Sequence, residues 1–235
     1  MKKIVQLIFI QITFVLGYHS HLSAQCPAVP SPYTENFGGA SLPSCWQQSA
    51  TSGDGWKFTG TPGYAAANNG RPSGTFAWVD FSGTDAGTVM EVIPVDISSN
   101  TSPQIEFDFF CFNTTQPTPT NILHIEANDG TNWVSVATIQ NNTFNGWSPY
   151  TYSLVGFDVN GIVNVRFRAE SGGATNDFYN DILVDNVAIR EAPTCPSPLL
   201  SSFGISNLTA NSAELNWLAG GNAVSYTHLR AHETS

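Results

Sequence analysis

Two runs of alternating apolar and polar positions, joined by a polar loop, occupy residues 163–189 and set the pattern for the chain. In the first run Val163, Val165, Phe167 and Ala169 alternate with Asn164, Arg166 and Arg168, the period of two that a strand with one buried face requires. In the second, the same period puts Leu183, Val187 and Ile189 on one face with Asp185. A carboxylate on that face must be paired, hydrogen-bonded or metal-bound, because an unpaired buried charge costs several kcal/mol. The loop between the runs holds Glu170, Asp177 and Asp181 beside Gly172 and Gly173.

The alternation recurs elsewhere. Residues 76–81 are apolar nearly throughout, as expected of a strand covered on both faces, and Val89, Glu91, Ile93 and Val95 alternate with Met90 and Val92. Ile105, Phe107, Phe109 and Cys111 form one face of a strand whose other face shows Gln104, Glu106 and Asp108. Residues 122–127 and 133–139 flank Asn128-Asp129-Gly130, a strong hairpin signal, and 147–154 form a Tyr-rich strand. A turn at Gly53-Asp54-Gly55-Trp56 and an Asn/Gly-rich loop over 65–72 punctuate the earlier part. No helical period is sustained after the N-terminus. Roughly nine short strands predict an all-β fold, an antiparallel β-sandwich of the jelly-roll kind.

Residues 1–24 follow another logic. Lys2 and Lys3, an apolar run over 4–16 and small residues ending at Ala24 read as a secretory signal peptide. Gln25 separates Ala24 from Cys26, which argues against a lipoprotein, and no stop-transfer flank follows, so the mature chain is expected to carry no membrane span and to be secreted or displayed at the cell surface. Removing Lys2 and Lys3 leaves six basic residues against eighteen acids, a balance of −12, which argues against nucleic acid and anionic membranes as partners. Four cysteines, Cys26, Cys45, Cys111 and Cys195, lie after the signal, where disulfides persist. Three pairings are open, and the most local, Cys26 with Cys45, would stabilise by about 3 kcal/mol.

Glu35-Asn36-Phe37, Leu42-Pro43-Ser44-Cys45-Trp46, Gly53-Asp54-Gly55-Trp56, Ala77-Trp78-Val79-Asp80 and Leu183-Val184-Asp185-Asn186-Val187 fall in the order seen in MAM (meprin-type) domains. Residues 26–191 thus resemble a MAM-like jelly roll of bacterial exported proteins. The resemblance implies adhesion or ligand binding without catalysis, a Cys26–Cys45 disulfide, and a second between Cys111 and Cys195. Residues 192–198 form a Pro-rich linker. Residues 199–223, with Leu208, Leu215 and Trp217 at core positions, resemble the first two strands of a fibronectin type III domain, a partial second β-sandwich. Residues 224–235 are similar to a translated transposon mosaic-end adapter, which would make them extraneous to the protein.

His124 is the one histidine outside the signal and the tail, so no Ser-His-Asp, Cys-His or multi-His metal site can be assembled. Glu106 and Asp108 share a strand face, loosely like the acidic strand of laminarinase-type glycoside hydrolases, but Phe110 stands where a further acid is needed. Among the aromatics, Tyr64 in its Gly/Ala/Asn loop and Trp147 between Gly146 and Pro149 are the expected ligand contacts. Two readings stand for Asp185, which needs a compensating charge and has no Lys or Arg near it in sequence before Arg190: it accepts backbone hydrogen bonds in a turn, or it holds calcium as cofactor together with Glu35 and Asp54. The expected function is a non-catalytic adhesion or ligand-binding module for an extracellular glycan or protein. The alternative is a glycan-cleaving jelly-roll enzyme.

Overall fold

The computed structural model describes residues 26–82, 87–112, 121–140, 145–173, 177–193, 204–206, 209 and 214–216. Two five-stranded antiparallel sheets share one core. The back sheet runs β10 (Ser148–Ser153), β7 (Pro103–Phe110), β13 (Ile182–Glu191), β2 (Tyr33–Glu35), and β4 (Ala77–Val79) also pairs with β13. The front sheet runs β3 (Gln47–Ser49), β5 (Thr88–Glu91), β12 (Val165–Glu170), β8 (Ile122–Asn128), β9 (Trp133–Gln140). A three-stranded sheet of β1 (Val29–Pro30), β6 (Val95–Asp96) and β11 (Ile162–Val163) completes the domain, and β14 (Gly204–Ser206) pairs with β15 (Glu214–Asn216) in a separate hairpin. The fold is all-β, as the alternation predicts. Among the described residues the only helical pieces are two 3-10 turns, Tyr64–Asn68 and Asp177–Tyr179, and no helix is long and apolar enough to cross a membrane.

The core follows from the period of two. Ile105, Phe107 and Phe109 of β7 meet Val165, Phe167 and Ala169 of β12 and Leu123 and Ile125 of β8, all fully buried or nearly so. Phe107 and Phe167 cross between the sheets edge to face at 5.1 Å. Burying each such side chain stabilises the fold by about 1.5–3 kcal/mol. The β8–β9 hairpin turns where Asn128-Asp129-Gly130 predicts: Asp129 Oδ1 accepts from the amides of Thr131 (2.9 Å) and Asn132 (2.8 Å), and Gly130 takes the positive φ. The apolar run around β4 is covered on both faces: Ala77 and Val79 enter the main core, whereas Trp78 joins a second cluster with Ala66, Phe76, Phe110 and Leu183. That second cluster lies on the outer face of the back sheet, so a loop must cover it.

One expectation is corrected in β13. Pairing with β7 shifts register between Asp185 and Ala188, a β-bulge, and Asn186 there adopts φ 50°, a left-handed conformation that Asn tolerates better than most residues. The bulge reverses the alternation. Leu183 and Asp185 consequently face outward, while Val187 and Ile189 face the main core, so the four do not share one face.

Cys26 and Cys45 are bonded, tying the chain's entry to the segment before β3. Cys111 is buried, its thiol donating to the carbonyl of Asn180 at 3.6 Å and accepting from Asn180 Nδ2 at 3.3 Å. Its implied partner Cys195 lies outside the described residues, as do Leu208, Trp217 and the tail over 224–235.

Candidate functional site

The outer face of the front sheet carries three rows of side chains running across the strands. Val165, Phe167 and Ala169 point inward, so Arg166, Arg168 and Glu170 point outward. Register aligns Arg166 with Glu91 and Gln47 on one side and with Glu126 and Ser135 on the other. The next row is Ser49, Val89, Arg168, His124, Thr138, and the third is Glu170, Ile122, Gln140. Four inter-strand spacings of ~4.8 Å make this face about 19 Å wide.

An ionic ladder fixes its side chains. Arg166 Nε donates to Glu126 Oε2 at 2.6 Å, and Arg168 donates to Glu126 Oε1 through Nε (3.0 Å) and Nη2 (2.9 Å). Arg168 Nη1 also reaches Glu170 Oε1 at 2.8 Å, and His124 Nε2 lies 2.8 Å from Glu170 Oε2, its Nδ1 3.2 Å from Thr138 Oγ1. Burial acts to raise the pKa of Glu126, but the hydrogen bonds from Arg168 and Arg166 outweigh it and hold the carboxyl below its ordinary range. Glu170 is likewise lowered: burial opposes, and Arg168 and His124 prevail. At the edge, Trp133 lies over the Arg166 guanidinium, 4.3 Å from ring centre to cation. Beside it, Gln47, Glu91, Asn164 and the Cys26–Cys45 bridge line a depression of about 30 Å³. Fixed donors, acceptors and one aromatic ring therefore share an open face.

The two aromatics expected to contact ligand lie at opposite ends of the loop covering the back sheet. Tyr64 is 53 % exposed, with its ring 4.5 Å from Tyr179 and 5.7 Å from Phe178. Trp147 is partly buried. It packs on Phe76 and Phe110, donates Nε1 to the carbonyl of Asn69 at 3.0 Å, and lies 3.9 Å from the Arg71 guanidinium. Its contacts anchor the loop to the sheet. The other aromatics divide similarly: Trp56 is core, with its Nε1 donating to the Thr88 carbonyl, and Tyr150 packs on Phe107 and Phe109.

The three residues expected to hold calcium are not assembled. Asp185, 4 % exposed, is met by Arg71 Nη1 and accepts from the Asn186 amide at 2.6 Å. Arg71 also holds Asp108 through Nη2 at 2.6 Å, and Asn186 Nδ2 donates to the same Asp108 oxygen at 2.8 Å. Burial raises the pKa of Asp185 against the Asn186 and Arg71 hydrogen bonds. The compensating charge comes from a loop 114 residues away, which no local reading could supply. Glu35 accepts from the Phe37 amide at 2.6 Å, and Asp54 sits in an exposed turn paired with Lys57 at 3.1 Å. Among the described residues no group of three or more His, Cys, Asp or Glu is placed to hold a metal ion.

Glu106 and Asp108 do face outward from β7. Glu106 is bound to Arg190 and to Gln104, and Asp108 to Arg71 and Asn186. The pair therefore sits in two separate ion pairs.

Fold and site together define a two-sheet, all-β module with an open, polar strand face. No protein-family model matches the chain and no curated protein matches it, so the meprin-type and fibronectin type III resemblances rest on the quoted motifs. Among solved structures the chain is similar to the K1 cleaved adhesin domain of Lys-gingipain from Porphyromonas gingivalis W83, with 18 % identity and a TM-score of 0.49 over 69 % of this chain and 99 % of that one. It is also similar to TmCBM61 in complex with β-1,4-galactotriose, with 12 % identity and a TM-score of 0.44 over 66 % of this chain and 94 % of that one. A third is the CBM22-1 xylan-binding domain of Paenibacillus barcinonensis Xyn10C, with 12 % identity and a TM-score of 0.41 over 72 % of this chain and all of that one.

Proposed function

We propose that this protein is a non-catalytic, exported module that binds a neutral glycan chain across the outer face of its front sheet. The observation that carries the reading is the ordered row Gln47, Glu91, Arg166, Glu126, Ser135, with Trp133 lying over Arg166. Sugar hydroxyls both donate and accept, and this row presents amide, carboxylate, guanidinium and hydroxyl groups, of which the Arg166 guanidinium and the Glu126 carboxylate hold one another in place. Pre-orientation lowers the entropy cost of binding. Trp133 adds an apolar surface against which a sugar ring can stack. Opposite charges alternate along the ladder, which favours an uncharged ligand over a polyanion. The glycan-cleaving alternative loses support, because Glu106 and Asp108 are each engaged by a different arginine.

The test is retention on insoluble neutral polysaccharides, run with a reducing-sugar assay and with a Trp133→Ala variant. Retention of the wild type without product, and loss of retention in the variant with an unchanged melting temperature, is the expected result. Release of reducing sugar, or equal retention by the variant, would contradict the reading.

A further inference from the structure

Two stretches far apart in sequence meet in a second, smaller feature, away from the front sheet. The 3-10 turns Tyr64–Asn68 and Asp177–Tyr179 bring Tyr64, Phe178 and Tyr179 into one aromatic cluster. Three observations separate it from ordinary packing. First, Tyr64 is one of three exposed large hydrophobic residues among those described, with Val155 and Ile205. Second, Tyr64 is held at φ 49°, where a bulky residue is rare and strained. Exposure and strain both work against stability, and neither is offset by burial of the ring. Third, the backbone entering Tyr64 is tied down from inside the protein. Asp181, 1 % exposed, accepts from the Gly63 amide at 2.7 Å through Oδ2 and from the Phe81 amide at 3.1 Å through Oδ1. Asp181 thus ties the turn before Tyr64 to the backbone of the buried Phe81, and a buried carboxylate is costly unless the groups it holds must stay in place.

We propose that the corner between Tyr64 and Tyr179 is a second binding site, which takes the apolar face of a single, uncharged sugar ring at a chain end, with Asp181 as its positioning residue. The rings meet at 68°, so a sugar stacked on Tyr64 abuts Tyr179 and cannot continue past it. That shape fits a terminal residue better than an internal run. Among the charged groups, the Asp177 carboxylate is engaged by the Ser171 hydroxyl and Asp181 is buried beneath the turn. Aromatic faces with phenol hydroxyls thus remain for the ligand, which suits C–H faces and hydroxyls. The site shares with the front-sheet reading only the premise that the ligand is a glycan.

Asp181 also gives the corner a pH signature. Burial raises its pKa to about 6 despite the two amide donors, with Asp80 adding to the rise and Lys57 opposing it. Protonation at lower pH weakens its hold on Gly63, so occupancy of the corner falls as pH drops through 6.

The experiment is an NMR titration of the full chain with methyl β-glycosides of glucose, galactose and xylose, in the millimolar range expected of single-ring ligands. The expected result is saturable shifts of Gly63, Tyr64 and Tyr179 signals by at least one glycoside. Tyr64→Ala weakens that binding by at least about tenfold, Asp181→Asn weakens it and abolishes its pH dependence, and Trp133→Ala leaves it unchanged. Absence of shifts with every glycoside, shifts produced only by a Pro-rich control peptide, or full affinity in Tyr64→Ala would overturn the proposal. Failure of Trp133→Ala to affect polysaccharide retention would count against the front-sheet reading alone.

Discussion

Asp181 and Asp185 show at the scale of single residues how differently two buried carboxylates are accommodated. Asp181 has a folded pKa of about 6 against an ordinary 3.8, so the folded protein binds this proton more tightly than the unfolded chain does. Its contribution to stability is full below about pH 4 and is lost as pH rises through 6, a change of about 3 kcal/mol. Urea melts from pH 4 to 7 are expected to show a wild-type advantage over Asp181→Asn that declines across that window, and parallel curves would refute the assignment. Asp185 is instead paired with Arg71, whose guanidinium it shares with Asp108. Arg71→Met strands a carboxylate that is nearly buried, and denaturant unfolding should register a loss of about 2–3 kcal/mol, below the value for fully buried pairs because Arg71 and Asp108 are part exposed. An unchanged midpoint would mean that solvent already screens the pair. For Tyr64, relief of a strained φ predicts that Tyr64→Gly leaves stability unchanged or raises it by up to about 1 kcal/mol while glycoside binding is lost.

At the scale of elements, the β13 bulge decides which side chains reach which face. Asn186 at φ 50° makes the extra residue possible. Asn186→Gly is therefore expected to be tolerated, whereas Asn186→Val should cost about 1–3 kcal/mol in a thermal or urea melt. Equal stability of the two variants would show that the bulge can relax. The bulge also marks where sequence reasoning stopped. Alternation correctly assigned the inward faces of β7 and β12 and the turn between β8 and β9, because each is a local, period-two signal. Strand β13 carries the same alternation, yet one inserted residue inverted it, and nothing local distinguishes Asp185-Asn186 in a bulge from the same pair in a regular strand. The charge partner of Asp185 and the rows across the front sheet were hidden for a related reason. Arg166 and Glu126 are 40 residues apart and Arg71 and Asp185 114, so only register brings them together. The exposure of Tyr64 was legible from its loop composition, but its companions Phe178 and Tyr179 come from a different loop.

On the scale of the whole molecule, two sheets share one core, the back sheet is partly sealed by a loop anchored through Arg71 and Trp147, and the outer face of the front sheet exposes Gln47, Ser49, Ser135, Thr138 and Gln140. The Cys26–Cys45 bridge closes the entry beside the open face. Replacing both cysteines by serine should lower stability by about 3 kcal/mol, or about 6–12 °C in melting temperature for a domain of this size. The surface proposed to bind a glycan chain is the outer face of the front sheet. The most direct measurement is an amide and indole NMR titration of the full chain with neutral β-1,4-linked hexaoses of glucose, galactose and xylose. A hexaose that binds is expected to shift Gln47, Glu91, Arg166, Glu126 and the Trp133 indole together, along one row of the front sheet. Shifts confined to the Arg71–Trp147 face of the back sheet, or no shift with any of the three, would contradict it.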